Sequence, residues 1–296
     1  MKKVLVLAAA MMAAVFSAKA EVEFAYEAGA DLVSAYIWRG IYNGGLSFQP
    51  EALVGFNAED EKIQFRAGVW GNIGASDWKF KKDQNDGTGY TMFMPELDII
   101  LSASAYGASI GLNHYYYCDG SNFFSWKDVN ENLTAGNTST TELWFGYNFD
   151  ALFGVGAYIN WYTTIAGNDY KAPTTEDLKH LLLGHRAYST YIELGYDYTF
   201  ENLGLTIGGQ LGISPWESPE MYYNEKFAVV NLSVKVDKEF DLGVCTLNVF
   251  AQGSINPDGL QTDKNKPGYN VFVDAAGEDK LYAQKLNGCI GIGVWF

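Results

Sequence analysis

The sequence predicts an all-β fold: a transmembrane antiparallel up-and-down β-barrel of about 12 strands, with short periplasmic turns and longer extracellular loops. Three observations predict it. Apolar side chains recur with period two in about a dozen segments, and the connections between segments alternate short and long. The chain also stops on an aromatic, Phe296, with Ile290, Ile292 and Val294 at alternate positions before it.

Lys2 and Lys3 precede an apolar run, Val4 to Phe16, and the small-residue motif Ala18-Lys19-Ala20. These are the parts of a cleavable export signal, so residues 1–20 are expected to leave and residues 21–296 to form the barrel. The run is too short to span a bilayer as a helix.

The first segment carries Phe24, Tyr26, Ala28, Ala30, Leu32, Tyr36 and Trp38 on one face, and Glu27, Asp31 and Arg39 on the other. A hairpin at Asn43-Gly44-Gly45 leads to Phe48, Pro50, Ala52, Val54 and Phe56, followed by Ile63, Phe65, Ala67 and Val69. Further segments run through Pro95–Leu101, Tyr106–Tyr116, Thr141–Tyr147, Phe153–Trp161, Tyr188–Tyr198, Leu203–Ile213, Ala228–Val236, Cys245–Gly253 and Leu286–Phe296. Many approach the nine to eleven residues that a tilted strand needs to cross hydrocarbon.

Alternation does not say which face is inside; connections and aromatics do. Tight turns are expected at Ala58-Glu59-Asp60-Glu61, near Ala105, at Phe149-Asp150-Ala151, at Phe200-Glu201-Asn202 and at Lys238-Glu239-Phe240. Between them lie Gly74–Tyr90, Cys118–Thr138, Thr164–Arg186, Ser214–Lys226 and Ile255–Lys280. Tyr26, Phe56, Tyr106, Tyr147, Phe153, Tyr198 and Phe296 mark the short-turn end of the apolar face. Trp38, Tyr116, Trp161 and Tyr188 mark the long-loop end, with aliphatics between. Two aromatic girdles around an aliphatic belt describe a lipid-facing wall. Every strand amide in hydrocarbon needs a partner, so the strand ending at Phe296 must pair with the one beginning near Val22.

Removal of the signal leaves 17 basic against 35 acidic residues, a balance that argues against nucleic-acid binding. Cys118, Cys245 and Cys289 match no zinc or redox spacing, and read as packing residues with one disulfide possible.

The stretch Ser34-Ala35-Tyr36-Ile37-Trp38-Arg39-Gly40, with Pro50 and Ala67-Gly68-Val69-Trp70-Gly71, resembles the TorF-like family of outer-membrane porins over the first quarter of the chain. Ala35 stands where that family's Ser-Asp-Tyr-x-x-Arg-Gly signature has Asp. The resemblance implies a porin and no particular solute.

On the opposite face, Glu27, Asp31, Glu51, Glu96, Asp98, Glu142, Glu193, Asp197 and Asp237 are expected to point inward, against Arg39, Arg66, Lys235 and Lys285. Such a surplus favours cations over anions. Trp70, Tyr115, Tyr117, Trp144, Tyr158, Tyr162 and Tyr191 are expected to project into the lumen, as a sugar-guiding track or as filling near the mouth. A salt-bridged plug is an equal possibility, with Arg39 and Arg66 neutralised by Glu51 and Glu96.

An enzyme would need a nucleophile and a base. His114 has neither Ser nor Cys beside it and reads as an interfacial residue; His180 and His185 lack further metal ligands, and no cofactor is implied. Thr174–Gly184 reads as a loop helix whose leucines cover the mouth or meet a partner. Asp83–Gly87 reads as a solvated loop rather than a calcium site. The expected function is passive diffusion of small hydrophilic solutes, cation-preferring or neutral, across the outer membrane of a Gram-negative bacterium. Lipid and the barrel-insertion machinery, through Phe296, are the expected partners. The alternative is a closed barrel acting through its outer loops.

Overall fold

The structure, a computed structural model, describes residues 22–58, 61–74, 96–118, 123, 139–171, 185–219, 221–222, 224, 226–257 and 286–296. The export signal, Thr174–Gly184, His180, Asp83–Gly87 and Lys285 lie outside them.

Among the described residues fourteen strands follow in order: β1 (Val22–Val33), β2 (Tyr36–Trp38), β3 (Ile41–Gly44), β4 (Ser47–Ala58), β5 (Ile63–Gly74), β6 (Glu96–Ala105), β7 (Ala108–Tyr117), β8 (Thr140–Asn148), β9 (Ala157–Gly167), β10 (Thr190–Phe200), β11 (Leu205–Ser214), β12 (Ala228–Asp241), β13 (Thr246–Ile255) and β14 (Leu286–Trp295). β2 and β3 form a small sheet of their own, and the other twelve close into one antiparallel barrel. The closure is β1 on β14, where Gly29 pairs with Trp295 and Val33 with Gly291, while Phe296 exchanges two backbone hydrogen bonds with Ala28. Each barrel strand therefore has a neighbour on both sides, which is what hydrocarbon demands of backbone amides.

The apolar parity faces out. Phe24, Tyr26, Leu32, Val54, Phe145, Leu194, Ile207, Val234, Ile290 and Ile292 are exposed on the wall. An apolar exterior around a polar interior inverts a soluble protein, and defines a transmembrane barrel.

At one end the connections are short. Tyr106 and Gly107 join β6 to β7 with both residues left-handed (φ 52° and 88°), a two-residue turn whose twist matches its strands. Two expected turns are displaced. Phe149-Asp150-Ala151 opens a longer connection containing a one-turn helix, α1 (Asp150–Phe153), so Phe153 is in that helix and not in a strand. Lys238-Glu239-Phe240 stays inside β12, which runs to Asp241; the turn lies at residues 242–245, where Asp241 accepts the Gly243 amide at 2.7 Å.

The largest correction concerns the first segment. It does not continue to Trp38, and Asn43-Gly44-Gly45 does not join two wall strands. After Val33, Ser34 donates its amide to the Ile290 carbonyl (2.8 Å) and accepts the Ile290 amide on its hydroxyl (2.9 Å). The chain then leaves the wall, runs inward as β2 and β3, and returns at Ser47 directly opposite Val33. Tyr36 and Trp38 thus lie inside the barrel, buried or half-buried, and Trp38 belongs to no lipid-facing girdle. Parity misleads here because the strand that carried it has ended.

The core sits in the lumen at the long-loop end. One cluster joins Tyr191, Tyr222, Ala228 and Val230 to Trp38 and Ile41; a second joins Val33, Ala35 and Cys289 to Ile37 and Phe250. Both pack against the β2–β3 hairpin, whose apolar side chains gain there the burial that the wall strands obtain from lipid.

Candidate functional site

The inner face carries the residues expected there by parity, and the register across strands sets their neighbours. Glu27 and Asp31 on β1 face Leu53 and Gln49 of β4, and Glu51 lies between those two positions on the same face. Arg66, Trp70, Glu96, Asp98, Glu142, Trp144, Tyr158, Glu193 and Lys235 share this side of the sheet on β5, β6, β8, β9, β10 and β12. Arg39 enters from the hairpin tip.

The tip is a two-residue turn, Arg39-Gly40, with both residues left-handed (φ 49° and 82°). This type I′ geometry normally takes Asn or Asp followed by Gly, so an arginine there is held at a cost of about 1–3 kcal/mol. Its guanidinium meets Glu142 bidentately, Nη1 to Oε2 at 2.6 Å and Nη2 to Oε1 at 2.8 Å, and Nη1 also donates to the Tyr222 hydroxyl at 2.5 Å. Three aromatic faces surround it: Tyr162 at 3.9 Å from the ring centroid, Trp38 at 4.5 Å and Tyr191 at 4.9 Å. Trp38 stacks parallel on Tyr222 (5.7 Å) and edge-on against Tyr115 (5.9 Å). The Tyr115 hydroxyl donates to Glu142 at 3.0 Å, which leaves that carboxylate almost wholly enclosed.

The hairpin is fastened elsewhere too. Asn287 of β14 donates to the Gly40 carbonyl at 2.8 Å. A Cβ on Gly40 would stand 2.7 Å from the Val230 carbonyl oxygen, so only glycine lets the tip approach β12 this closely. Tyr36 packs on Trp70 at 5.5 Å and hydrogen-bonds Glu96, which Tyr117 also bonds. The hairpin therefore crosses the lumen with contacts to β5, β6, β7, β8, β9, β10, β12 and β14.

This arrangement corrects the expected charge partners. Arg39 pairs with Glu142, and not with Glu51 or Glu96. Arg66 donates to Asn57 at 2.6 Å and to the Phe56 and Phe65 carbonyls. Lys235 pairs with Asp237 at 2.9 Å. Glu27, Asp31, Glu51, Glu193 and Asp197 have no ion pair among the described residues, so the surplus of inner carboxylates remains. Glu239, which the displaced turn had hidden, joins them.

The inner aromatics are also arranged differently from a projecting track. Tyr115, Tyr162 and Tyr191 are drawn into the cluster around Arg39. Trp144 lies flat over Gly111, Tyr158 over Gly195, Phe250 over Gly291 and Trp295 over Gly29, each a cross-strand pair in which a Cβ would collide with the ring. Glycine opposite an aromatic lets the ring hug the wall. Below the hairpin this leaves a polar cavity of about 340 Å³ lined by Asp197, Thr206, Gln210, Ser233, Lys235, Asp237, Glu239 and Gln252.

On the outer surface at the long-loop end, His114 is a buried residue whose ring nitrogens meet the Thr141 hydroxyl (2.9 Å) and the Phe123 carbonyl (2.7 Å). Phe123 also packs on Tyr116, and Trp216 on Trp161, so loop residues complete that girdle. Asp169, in the connection from β9 to β10, accepts the Ser189 amide at 3.0 Å; burial pushes its carboxyl above the ordinary value. No group of metal-ligating side chains comes together among the described residues. Cys245 and Cys289 are free thiols at opposite ends of the barrel.

Fold and lumen together define a transmembrane β-barrel whose interior is polar, acidic and crossed by an inward hairpin. A family model described as "Putative MetA-pathway of phenol degradation" matches residues 15–218, and the chain belongs to that family. No curated protein matches it. Among solved structures the chain is similar to OmpF of Salmonella typhi, solved in complex with daunomycin, at 8% identity with 94% of this chain and 97% of that one covered (TM-score 0.31). It is also similar to the toluene transporter TodX of P. putida, at 13% identity with 95% and 90% covered (TM-score 0.32).

Proposed function

We propose that the chain is a porin-like channel of the Gram-negative outer membrane, through which small hydrophilic solutes, cationic or neutral, diffuse passively. The observation that carries this reading is the polar inner face. A closed wall of twelve strands surrounds a cavity of about 340 Å³ lined by carboxylates, amides and hydroxyls. Unpaired carboxylates in a narrow tube raise the local cation concentration and repel anions. In this reading Glu27, Asp31, Glu51, Trp70, Glu96, Asp98, Trp144, Tyr158, Glu193 and Lys235 line the path, with Arg66 near its inner mouth and Arg39 and Glu142 where the hairpin crosses it. Phenol, which the family description mentions, is itself a small uncharged hydroxylated solute. Residues 1–20 would direct export, and Phe296 would present the terminal strand to the insertion machinery.

The Arg39–Glu142 pair favours a second reading, a barrel closed at rest by its hairpin. Purified protein in planar bilayers under a KCl gradient tests both. Unitary current steps with a reversal potential displaced toward cations support the channel, and anion selectivity removes the charge argument. Silence in the bilayer together with no swelling of sugar-loaded liposomes supports the closed barrel.

A further inference from the structure

The surroundings of Arg39 have the chemistry of a receptor. A fully buried carboxylate presents both oxygens to two parallel N–H donors, a phenol takes a third hydrogen bond, and three aromatic faces cover the delocalised cation. Four of these groups, Glu142, Tyr162, Tyr191 and Tyr222, come from the wall and an outer loop, so they persist without the hairpin; only Trp38 travels with Arg39. A carboxylate fork matched to a planar cation selects guanidinium over ammonium, which carries no flat fork and is more strongly hydrated. The resident group, moreover, is held by a left-handed non-glycine residue, a conformation with a cost that a free ligand would not bear.

We propose that Glu142, Tyr162, Tyr191 and Tyr222 form a guanidinium-binding site where the hairpin crosses the lumen, occupied in this conformation by the chain's own Arg39. A small solute bearing a guanidinium group binds there in exchange for Arg39 and releases the hairpin tip. Binding itself does not depend on conduction; the release of a path through the lumen rests on the channel reading.

The test empties the site and refills it. Arg39→Gly removes the side chain and suits the left-handed turn, so the hairpin can persist. Refolded in detergent, with folding checked by heat-modifiable migration, this variant is titrated with methylguanidinium while Trp38 emission is followed. Arg39→Gly/Trp38→Phe identifies the signal. A saturable change is expected, preferring methylguanidinium over methylammonium by about tenfold, the factor that one additional charge-assisted contact supplies. It should vanish in Arg39→Gly/Glu142→Gln. No saturable change, an equal response to methylammonium, or a response that survives Glu142→Gln would each overturn the site. If Arg39→Gly does not fold, Arg39→Asn, which also suits the left-handed turn and removes the cation, is titrated instead and judged by the same outcomes. Bilayer recordings of the same variant separate the two claims: saturable binding without current sinks the channel and keeps the site, whereas current without saturable binding sinks the site and keeps the channel.

Discussion

Gly40 and Asp169 show how single residues set the hairpin's position and the pH response of the fold. Gly40 combines φ of 82° with a backbone approach to Val230 that leaves no room for a Cβ. Gly40→Ala is therefore expected to cost about 1–3 kcal/mol at the tip and to push Arg39 off Glu142. The barrel itself should still form, because its ladder does not involve residue 40. The expected readout is unchanged heat-modifiable migration with larger or more frequent current steps. Asp169 works through protonation. Burial raises its carboxyl pKa in the folded state, so the folded protein binds a proton more readily than the unfolded chain. Its contribution is most favourable at low pH and declines as pH rises through the ordinary value of 3.8 toward the raised one. Asp169→Asn keeps an acceptor for the Ser189 amide and removes the titration. Its thermal midpoint should lose the part of the decline that wild type shows as pH rises above 3.8; identical pH profiles would assign that decline to other groups.

At the scale of the element, the β2–β3 hairpin is separable from the barrel. Val33 and Ser47 are paired across the β1–β4 ladder, so the chain could pass between them without the inward excursion. Replacing residues 34–46 by Asn-Gly, the dipeptide preferred in type I′ turns, should preserve the twelve strands and empty the outer half of the lumen. Conductance and the size limit in liposome swelling should both rise. Glu142→Gln makes a milder version of the same change, since it leaves the Arg39 charge enclosed without its counter-ion. Breaking one side of a buried pair costs about 3–5 kcal/mol. That exceeds what Asn287 and Gly40 can offset, so frequent opening is expected in single-channel records. A hairpin held mainly by its apolar packing would instead leave Glu142→Gln as closed as wild type.

For the whole molecule, the decisive quantity is the sign of the lumen. Glu27, Asp31 and Glu51 lie together on β1 and β4, clear of the hairpin, with no ion pair among the described residues. Neutralising all three (Glu27→Gln, Asp31→Asn, Glu51→Gln) should shift the reversal potential under a KCl gradient toward zero without altering folding, and the effect should fade at molar salt as the charges are screened. An unchanged reversal potential would mean that selectivity is set at Glu142 and Glu96, beside the hairpin, and not along the wall.

Twelve wall strands, their inward and outward faces and the loop asymmetry were legible because each depends on a local rule. Period two follows from the pleat, a lipid-facing wall must be apolar along its whole length, and the end at Phe296 must close on the first strand. Glu51, Glu142 and Lys235 could be assigned inward by counting from neighbours on the same strand. The hairpin was not legible, because Tyr36-Ile37-Trp38 continues the alternation of β1 after the chain has left the wall. Nothing local distinguishes an aromatic facing lipid from one facing a packed lumen. The displaced turns failed for a related reason: Lys238 and Glu239 look like turn residues, yet a barrel strand can extend polar residues beyond the hydrocarbon. The pairing of Arg39 with Glu142 joins residues 103 positions apart, and the cage of Tyr162, Tyr191 and Tyr222 assembles from two strands, β9 and β10, and the connection from β11 to β12. The sequence by itself determined the wall, since its constraints act between neighbours two residues apart. Only the tertiary structure decided what stands inside it, because those contacts exist once the sheet has closed and brought opposite walls within reach of one side chain.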